Sequence, residues 1–233
     1  MTSRRDLVPF DTRHFERRAR NGERLPLQEA FEEVHRSHLW TGSESVSGAG
    51  SGAEQTSRLH TALPELLREL GTRTLLDAPC GDYGWIKTIP LPVERYIGAD
   101  VVRSLIADRQ ALDADDRHTF VVLDLTRDPL PAADLLLCRD CLVHLSFDDV
   151  QRVTANVRRR GIPFLLATTF PDHEVNEDIV TGDWRLLNLE RPPFRFPPPR
   201  RLINEGCTEG GGVFADKSLG LWAVDDLPES LTP

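Results

Sequence analysis

The chain has 233 residues, with 28 Lys and Arg against 37 Asp and Glu and a formal net charge of −9. That balance disfavours binding driven by nucleic-acid phosphates, and no apolar run reaches the roughly 18 residues of a membrane span. With 39% hydrophobic and 28% charged residues the composition fits a folded domain with a substantial core. The four cysteines, Cys80, Cys138, Cys141 and Cys207, are irregularly spaced, which predicts a reduced, cytoplasmic protein without a signal peptide.

Met1 to Arg20 is charged and reads as partly loose. Over 25–39, Leu27, Ala30, Phe31, Val34 and Leu39 fall on one helical face, and Trp40 ends the pattern. Thr41 to Gly52 is rich in Gly and Ser, which suits either a linker or a lid over a bound ligand. Residues 1–53 are therefore expected to form an N-terminal helical lid or loose segment. A second helix spans 54–70, with Leu59, Leu63, Leu66, Leu67 and Leu70 as its apolar face and Gly71 at its C-cap.

The next stretch is Leu75-Leu76-Asp77-Ala78-Pro79-Cys80-Gly81-Asp82-Tyr83-Gly84-Trp85. A buried strand ends near Asp77. Glycines then allow a sharp turn and close approach to a ligand, and a helix beginning just beyond would aim free N–H groups at it. The pattern departs from the dinucleotide fingerprint G-x-G-x-x-G.

Arg95 to Asp100 reads as strand two and ends in an acid 23 positions after Asp77. In nucleotide-binding α/β folds an acid about 20 residues on accepts hydrogen bonds from ribose hydroxyls. Val102 to Leu112 reads as a helix. Thr119 to Asp124 is strand three, Ala133 to Cys138 strand four, Phe147 to Arg159 a helix, and Pro163 to Phe170 strand five. Residues 171–205 break the rhythm and carry Asn176, Asp178, Thr181, Asp183, Trp184, Arg185 and Asn188. Ile203 to Gly212 reads as a loop. Val213 to Ala215 and Ser218 to Val224 read as a closing antiparallel pair. Strands alternating with helices imply a mostly parallel sheet covered on both faces, and three successive strands end in Asp77, Asp100 and Asp124.

The pair in Cys138-Arg139-Asp140-Cys141 lacks the second pair that a structural zinc site needs, so no metal is expected. A redox dithiol is the alternative.

These features resemble the class I S-adenosylmethionine (SAM)-dependent methyltransferases over roughly residues 56–224. Pro79 stands where that family usually has its first glycine, and Tyr83 where it often has its last. The blocks at Leu76–Asp82, Cys138–Ser146 and Thr181–Arg185 are similar to a bacterial, small-molecule-type subgroup of undefined substrate. The resemblance implies a Rossmann-like, seven-stranded, mostly parallel sheet with helices on both faces and a C-terminal antiparallel hairpin. It implies a methyltransferase domain over 54–226, with 171–205 as an acceptor-side insertion. It implies SAM as cofactor, held by Asp77, Pro79, Cys80 and Gly81 of the turn, by Asp100 at the ribose, by Asp124 and Leu125 at the adenine, and by Arg139 in the fourth motif. The Asn/Asp-Pro-Pro-Tyr/Phe motif of amino-methylating nucleic-acid enzymes is absent after strand four. So is the Pro-Cys nucleophile of cytosine C5 enzymes.

The expected reaction is methyl transfer to an oxygen or nitrogen of a small polar or anionic acceptor, by a monomer or homodimer, with no nucleic-acid or membrane partner. Asp140 and His144 are the candidate acid–base residues, although His144 also sits just before the helix cap predicted at Ser146. Trp40, Trp184, Arg185 and Asn188 are the candidate acceptor contacts, with Arg185 suited to fork onto a carboxylate or phosphate and Trp184 to cover an apolar or sugar face. The alternative for this loop is structural, with Trp184 packed on the core and Arg185 paired to Asp183 or Glu190. The competing functions are a non-catalytic SAM-fold binding module and a nucleotide-dependent small-molecule reductase.

Overall fold

The computed structural model describes residues 4–40, 45 and 47–230. Six α-helices precede or alternate with the strands: α1 (His14–Arg20), α2 (Leu27–Ser37), α3 (Ala53–Thr56), α4 (Leu59–Glu69), α5 (Arg103–Leu112) and α6 (Phe147–Arg160). The strands are β1 (Thr74–Asp77), β2 (Arg95–Asp100), β3 (His118–Val122), β4 (Leu135–Cys138), β5 (Phe164–Thr169), β6 (Arg201–Asn204) and β7 (Ser218–Ala223). They form one seven-stranded sheet in the order β3-β2-β1-β4-β5-β7-β6. The pairings from β3 to β5 are parallel, and β7 runs antiparallel to both β5 and β6.

Alternation along each strand divides the core in two. Leu75, Leu135 and Leu137 point to one side with Leu59, Leu63, Leu66 and Leu67 of α4. Leu76 and Leu136 point to the other with Val150, Val153 and Val157 of α6. Both faces of the sheet are therefore covered, and this is why β1 and β4 read as unbroken apolar runs. Ser146 caps α6, its hydroxyl accepting the Asp149 N–H at 3.2 Å, as the capping pattern predicts. Gly161 ends the helix at φ 76°, in the left-handed region where a side chain would strain.

The closing hairpin differs from expectation. The partner of β7 is β6, within a stretch read as insertion and loop, while Val213 to Ala215 forms a turn that sends Phe214 into the core. As the edge strand, β6 is mostly exposed, so it carries no continuous apolar run. The helix expected after the glycine turn shortens to a 3-10 turn at Ile86–Thr88, and the helix expected over 54–70 breaks between α3 and α4.

The N-terminal segment, read as partly loose, is docked in its described part. The Asp183 carboxylate accepts the N–H groups of Phe15 and Glu16 at 2.8 and 2.9 Å, capping the first turn of α1 with a negative charge. Arg4 pairs with Asp216 at 2.5 Å. Phe15 packs against Gly182, where an added Cβ would lie 2.5 Å from the ring. These partners lie far apart in sequence, beyond the reach of local pattern. Within the expected lid, Thr41 to Glu44 and Val46 lie outside the described residues.

Candidate active site

Sheet order reverses between β1 and β4, because β2 and β3 extend to one side and β5 to the other. In open α/β sheets this switch point leaves a crevice at the carboxyl ends of the strands. A cleft of about 1060 Å³, counting its open mouth, lies there. Asp77, Pro79, Cys80, Gly81, Asp100, Asp124, Leu125, Arg139, Asp140, His144 and Trp40 all line it.

The glycine turn is shaped by Gly81, at φ 52°. Its N–H donates to Asp100 Oδ2 at 3.2 Å. The described part of the Gly/Ser segment lies against this turn: Ser45 Oγ donates to Asp82 Oδ2 at 2.6 Å, and Ser47 Oγ accepts the Asp82 N–H at 3.2 Å. A Cβ on Gly81 would stand 2.2 Å from Ser47 Oγ. The Gly81→Ala substitution therefore adds left-handed strain of about 1–2 kcal/mol and displaces Ser47. The expected result is a protein that folds but binds the cleft's ligand at least about tenfold more weakly by calorimetry. Unchanged affinity would mean that the turn does not cradle the ligand.

Asp77 and Asp100, which end β1 and β2, and Asp124, two residues past β3, are nearly inaccessible. Burial raises the Asp77 carboxyl to about 7, against the opposing effect of the Tyr96 hydroxyl, which donates to it at 2.5 Å. Burial likewise raises Asp100 to about 6, although the N–H groups of Val102 and Gly81 favour its charge. Asp124 Oδ1 accepts from the backbone and hydroxyl of Thr126 at 2.9 and 2.6 Å. A ligand that hydrogen-bonds to these carboxylates selects their ionised forms. Its affinity is thus expected to rise as pH climbs through about 6 and about 7, the raised values of Asp100 and Asp77, and to level off above that window. A flat calorimetric profile across that window would contradict the assignment.

Beside this cleft lies a second cavity of about 620 Å³, again counting its open mouth, which shares Trp40, Ser47, Asp140 and His144 with it. Asp140 sits at φ 51°, an uncommon conformation for a non-glycine residue. The Thr168 hydroxyl accepts its N–H at 2.8 Å and donates back to its carboxylate at 3.3 Å. Burial would raise the Asp140 carboxyl, but Lys217 Nζ at 2.6 Å and the Arg139 guanidinium at 3.4 Å outweigh it and hold it at about 2. Arg139 is itself tied to buried Glu205 at 2.7 Å, donates to the Gly50 carbonyl at 2.7 Å, and lies over Trp85 at 5.0 Å.

His144 is carried on a 3-10 turn, Leu142–His144. Burial lowers its imidazole to about 4, so it is neutral near pH 7. Its Nδ1 faces the Asp183 carbonyl at 2.9 Å. A carbonyl only accepts, so Nδ1 carries the hydrogen and Nε2 the lone pair. Nε2 has no hydrogen-bond partner among the described residues, and Trp40 stacks on the ring at 4.1 Å.

Two expected acceptor contacts do not reach either cavity. Arg185 is buried, with its guanidinium donating to the Leu142, Leu145 and Glu177 carbonyls at 2.7, 2.8 and 3.2 Å. It braces the turn that carries His144 and leaves no fork for an anionic acceptor. It pairs with neither Asp183 nor Glu190. Asn188 donates to the Pro171 and His173 carbonyls, both at 2.9 Å. In a long segment without regular structure, orphan carbonyls must find donors; Asn188 serves two of them and Arg185 one, its other two bonds tying the segment to the turn that carries His144. Trp40 and Trp184 do line the second cavity.

Sequence reasoning missed Glu205, Lys217, Trp85, Phe10 and Phe214. Lys217, one residue ahead of the last strand, carried a weak signal as a lone cation before an apolar run. The others carried none.

No protein-family model matches the chain, and no curated protein matches it in sequence. Among solved structures it is similar to human N-acetylserotonin methyltransferase in complex with SAM, at 15% identity over 90% of this chain and 65% of that one, with a TM-score of 0.55. The chain thus spans just under two thirds of that protein. It is also similar to magnesium protoporphyrin IX methyltransferase from Synechocystis with bound SAH, at 16% identity over 63% of this chain and 72% of that one, with a TM-score of 0.47. The first likeness establishes the fold: the chain has the Rossmann-like α/β architecture found in that methyltransferase.

Proposed function

We propose that this protein is a SAM-dependent methyltransferase acting on an oxygen or nitrogen of a small molecule. The observation that carries the reading is the convergence of Asp77, Asp100 and Asp124 with the Gly81 turn on one cleft at the switch point. The cleft fits the cofactor. Asp100 offers ionisable oxygens to ribose hydroxyls, Leu125 and Asp124 offer an apolar wall and an acceptor to an adenine, and the cradle at Gly81 has no room for a Cβ. Pro79, Cys80 and Arg139 complete the wall. Bound SAM would supply an activated methyl group, its sulfonium sulfur able to leave with the bonding electron pair as the lone pair of an acceptor takes the carbon.

The chain's own part is to position and to move a proton. His144, neutral and shared by the two cavities, takes the proton of a hydroxyl acceptor at Nε2. Asp140 stays ionised and orients the acceptor side. Residues 54–226 form the catalytic unit in this reading, with the N-terminal segment closing over it and 171–205 bracing the acceptor side.

The Asp100→Ala variant removes charge-assisted hydrogen bonds worth about 1.5–3 kcal/mol each, so SAM affinity should fall at least about tenfold by calorimetry. Unchanged affinity would sink the reading of this acid. S-adenosylhomocysteine release in the presence of acceptors distinguishes an enzyme from a binding module.

A further inference from the structure

We propose that the second cavity receives a flat, ring-bearing acceptor with no negative charge and turns its hydroxyl toward His144. The inference rests on the methyltransferase reading and adds the class of acceptor to it.

The walls are aromatic. Trp184 stands at the centre, with Phe214, Phe10 and Phe170 edge-on to it at 5.5, 6.2 and 6.4 Å and at 80–90°. Trp40 closes the side nearest His144. Rings held edge to face offer both faces and edges to a further ring. The space between these walls is about 620 Å³ counting its open mouth, so a ring would enter from the open side.

The charges set the second requirement. Lys217 is the one Lys or Arg lining the cavity among the described residues, and the carboxylates of Asp140 and Glu209 line it too. Lys217 is already committed, at 2.6 Å to Asp140 and 3.6 Å to Glu205. The Lys217 and Asp140 charges offset each other, and the carboxylate of Glu209, which makes no ion pair among the described residues, is the charge that an anionic acceptor would meet. A like charge brought beside an unpaired carboxylate is disfavoured. The hydroxyl requirement follows from His144, whose Nε2 lone pair is unclaimed in the wall common to both cavities.

The test uses the full chain with saturating S-adenosylhomocysteine and two matched probes, 2-naphthol and 6-hydroxy-2-naphthoate, titrated by calorimetry. The neutral probe should bind at least about tenfold more tightly than the carboxylate. Glu209→Gln should narrow that ratio severalfold. Phe214→Ala should weaken 2-naphthol about tenfold or more while S-adenosylhomocysteine affinity holds. Phe214 is buried in the core, so Phe10→Ala, at a half-buried position, provides the same readout if that variant fails to fold. Equal or tighter binding of the carboxylate overturns the proposal, as does binding of neither probe or indifference of 2-naphthol to Phe10→Ala. Probe binding with the expected preference but no S-adenosylhomocysteine binding would defeat the cofactor reading and leave the ring cavity standing. The converse would defeat the ring cavity alone.

Discussion

Replacing Glu205 with alanine is expected to lower stability by about 3 kcal/mol or more, read from the urea midpoint at constant m-value. Glu205 is 1% exposed and Arg139 5%, and they pair at 2.7 Å. Burial works against the charge on Arg139, and Glu205 is the main reason that the guanidinium nonetheless stays firmly protonated. Removing the carboxylate strands that cation in the interior. Breaking one side of a buried pair costs about 3–5 kcal/mol, far more than an exposed pair. Glu205 Oε1 is buried without a hydrogen-bond partner, so its removal offsets part of the loss and places the expectation at the lower end. The loss also reaches the site, since Arg139 holds the Gly50 carbonyl and covers Trp85. Glu205→Gln, which keeps an acceptor for Arg139, should recover part of the stability. A loss below about 1 kcal/mol for the alanine variant would mean that Asp140, 3.4 Å from Arg139, takes over the pairing.

Much of this architecture is legible in the sequence, and the physical reason is burial. Strands β1, β2, β4 and β5 are covered on both faces, so each appears as a run of apolar residues with a sharp end. The ends of β1 and β2, with Asp124 just past β3, bring three acids to one edge. Strand β6 was not legible because an edge strand with one open side need not be apolar. The Arg139, Glu205, Lys217 and Asp140 network was not legible either. Its members lie 66 and 77 residues apart across the two key contacts, and only the fold brings them together. Arg185 shows the opposite failure. Its charge and its neighbour Trp184 suggested an anion site, yet the guanidinium is spent on the Leu142 and Leu145 carbonyls of the turn that carries His144 and on the Glu177 carbonyl of its own irregular segment, contacts that only the fold brings together.

Substituting His144 with asparagine is expected to reduce methyl transfer to a hydroxyl acceptor by about 10²–10⁴-fold, the contribution of a positioned general base, with SAM affinity unchanged within about twofold. Asparagine places an amide donor near the Nδ1 position and can keep the bond to the Asp183 carbonyl, but it offers no lone-pair nitrogen to the cavity. The substitution thus separates bracing from proton transfer. An independent readout comes from stability. Burial depresses His144 from 6.5 in the unfolded chain to about 4 in the folded one. Between those values the unfolded chain takes up a proton that the folded chain refuses. The contribution of the neutral histidine is therefore fully present above pH 6.5 and is lost as pH falls toward 4. Asp77 and Asp100 also titrate in this range but are common to both proteins, so the difference between wild type and variant isolates the imidazole. The wild type should lose stability relative to the variant on acidification through that window. If turnover falls and the two stability curves run parallel, the side chain is not held neutral in a buried site. If turnover is retained while the curves converge as expected, His144 is a buried structural residue, and the proton of the acceptor leaves by another route.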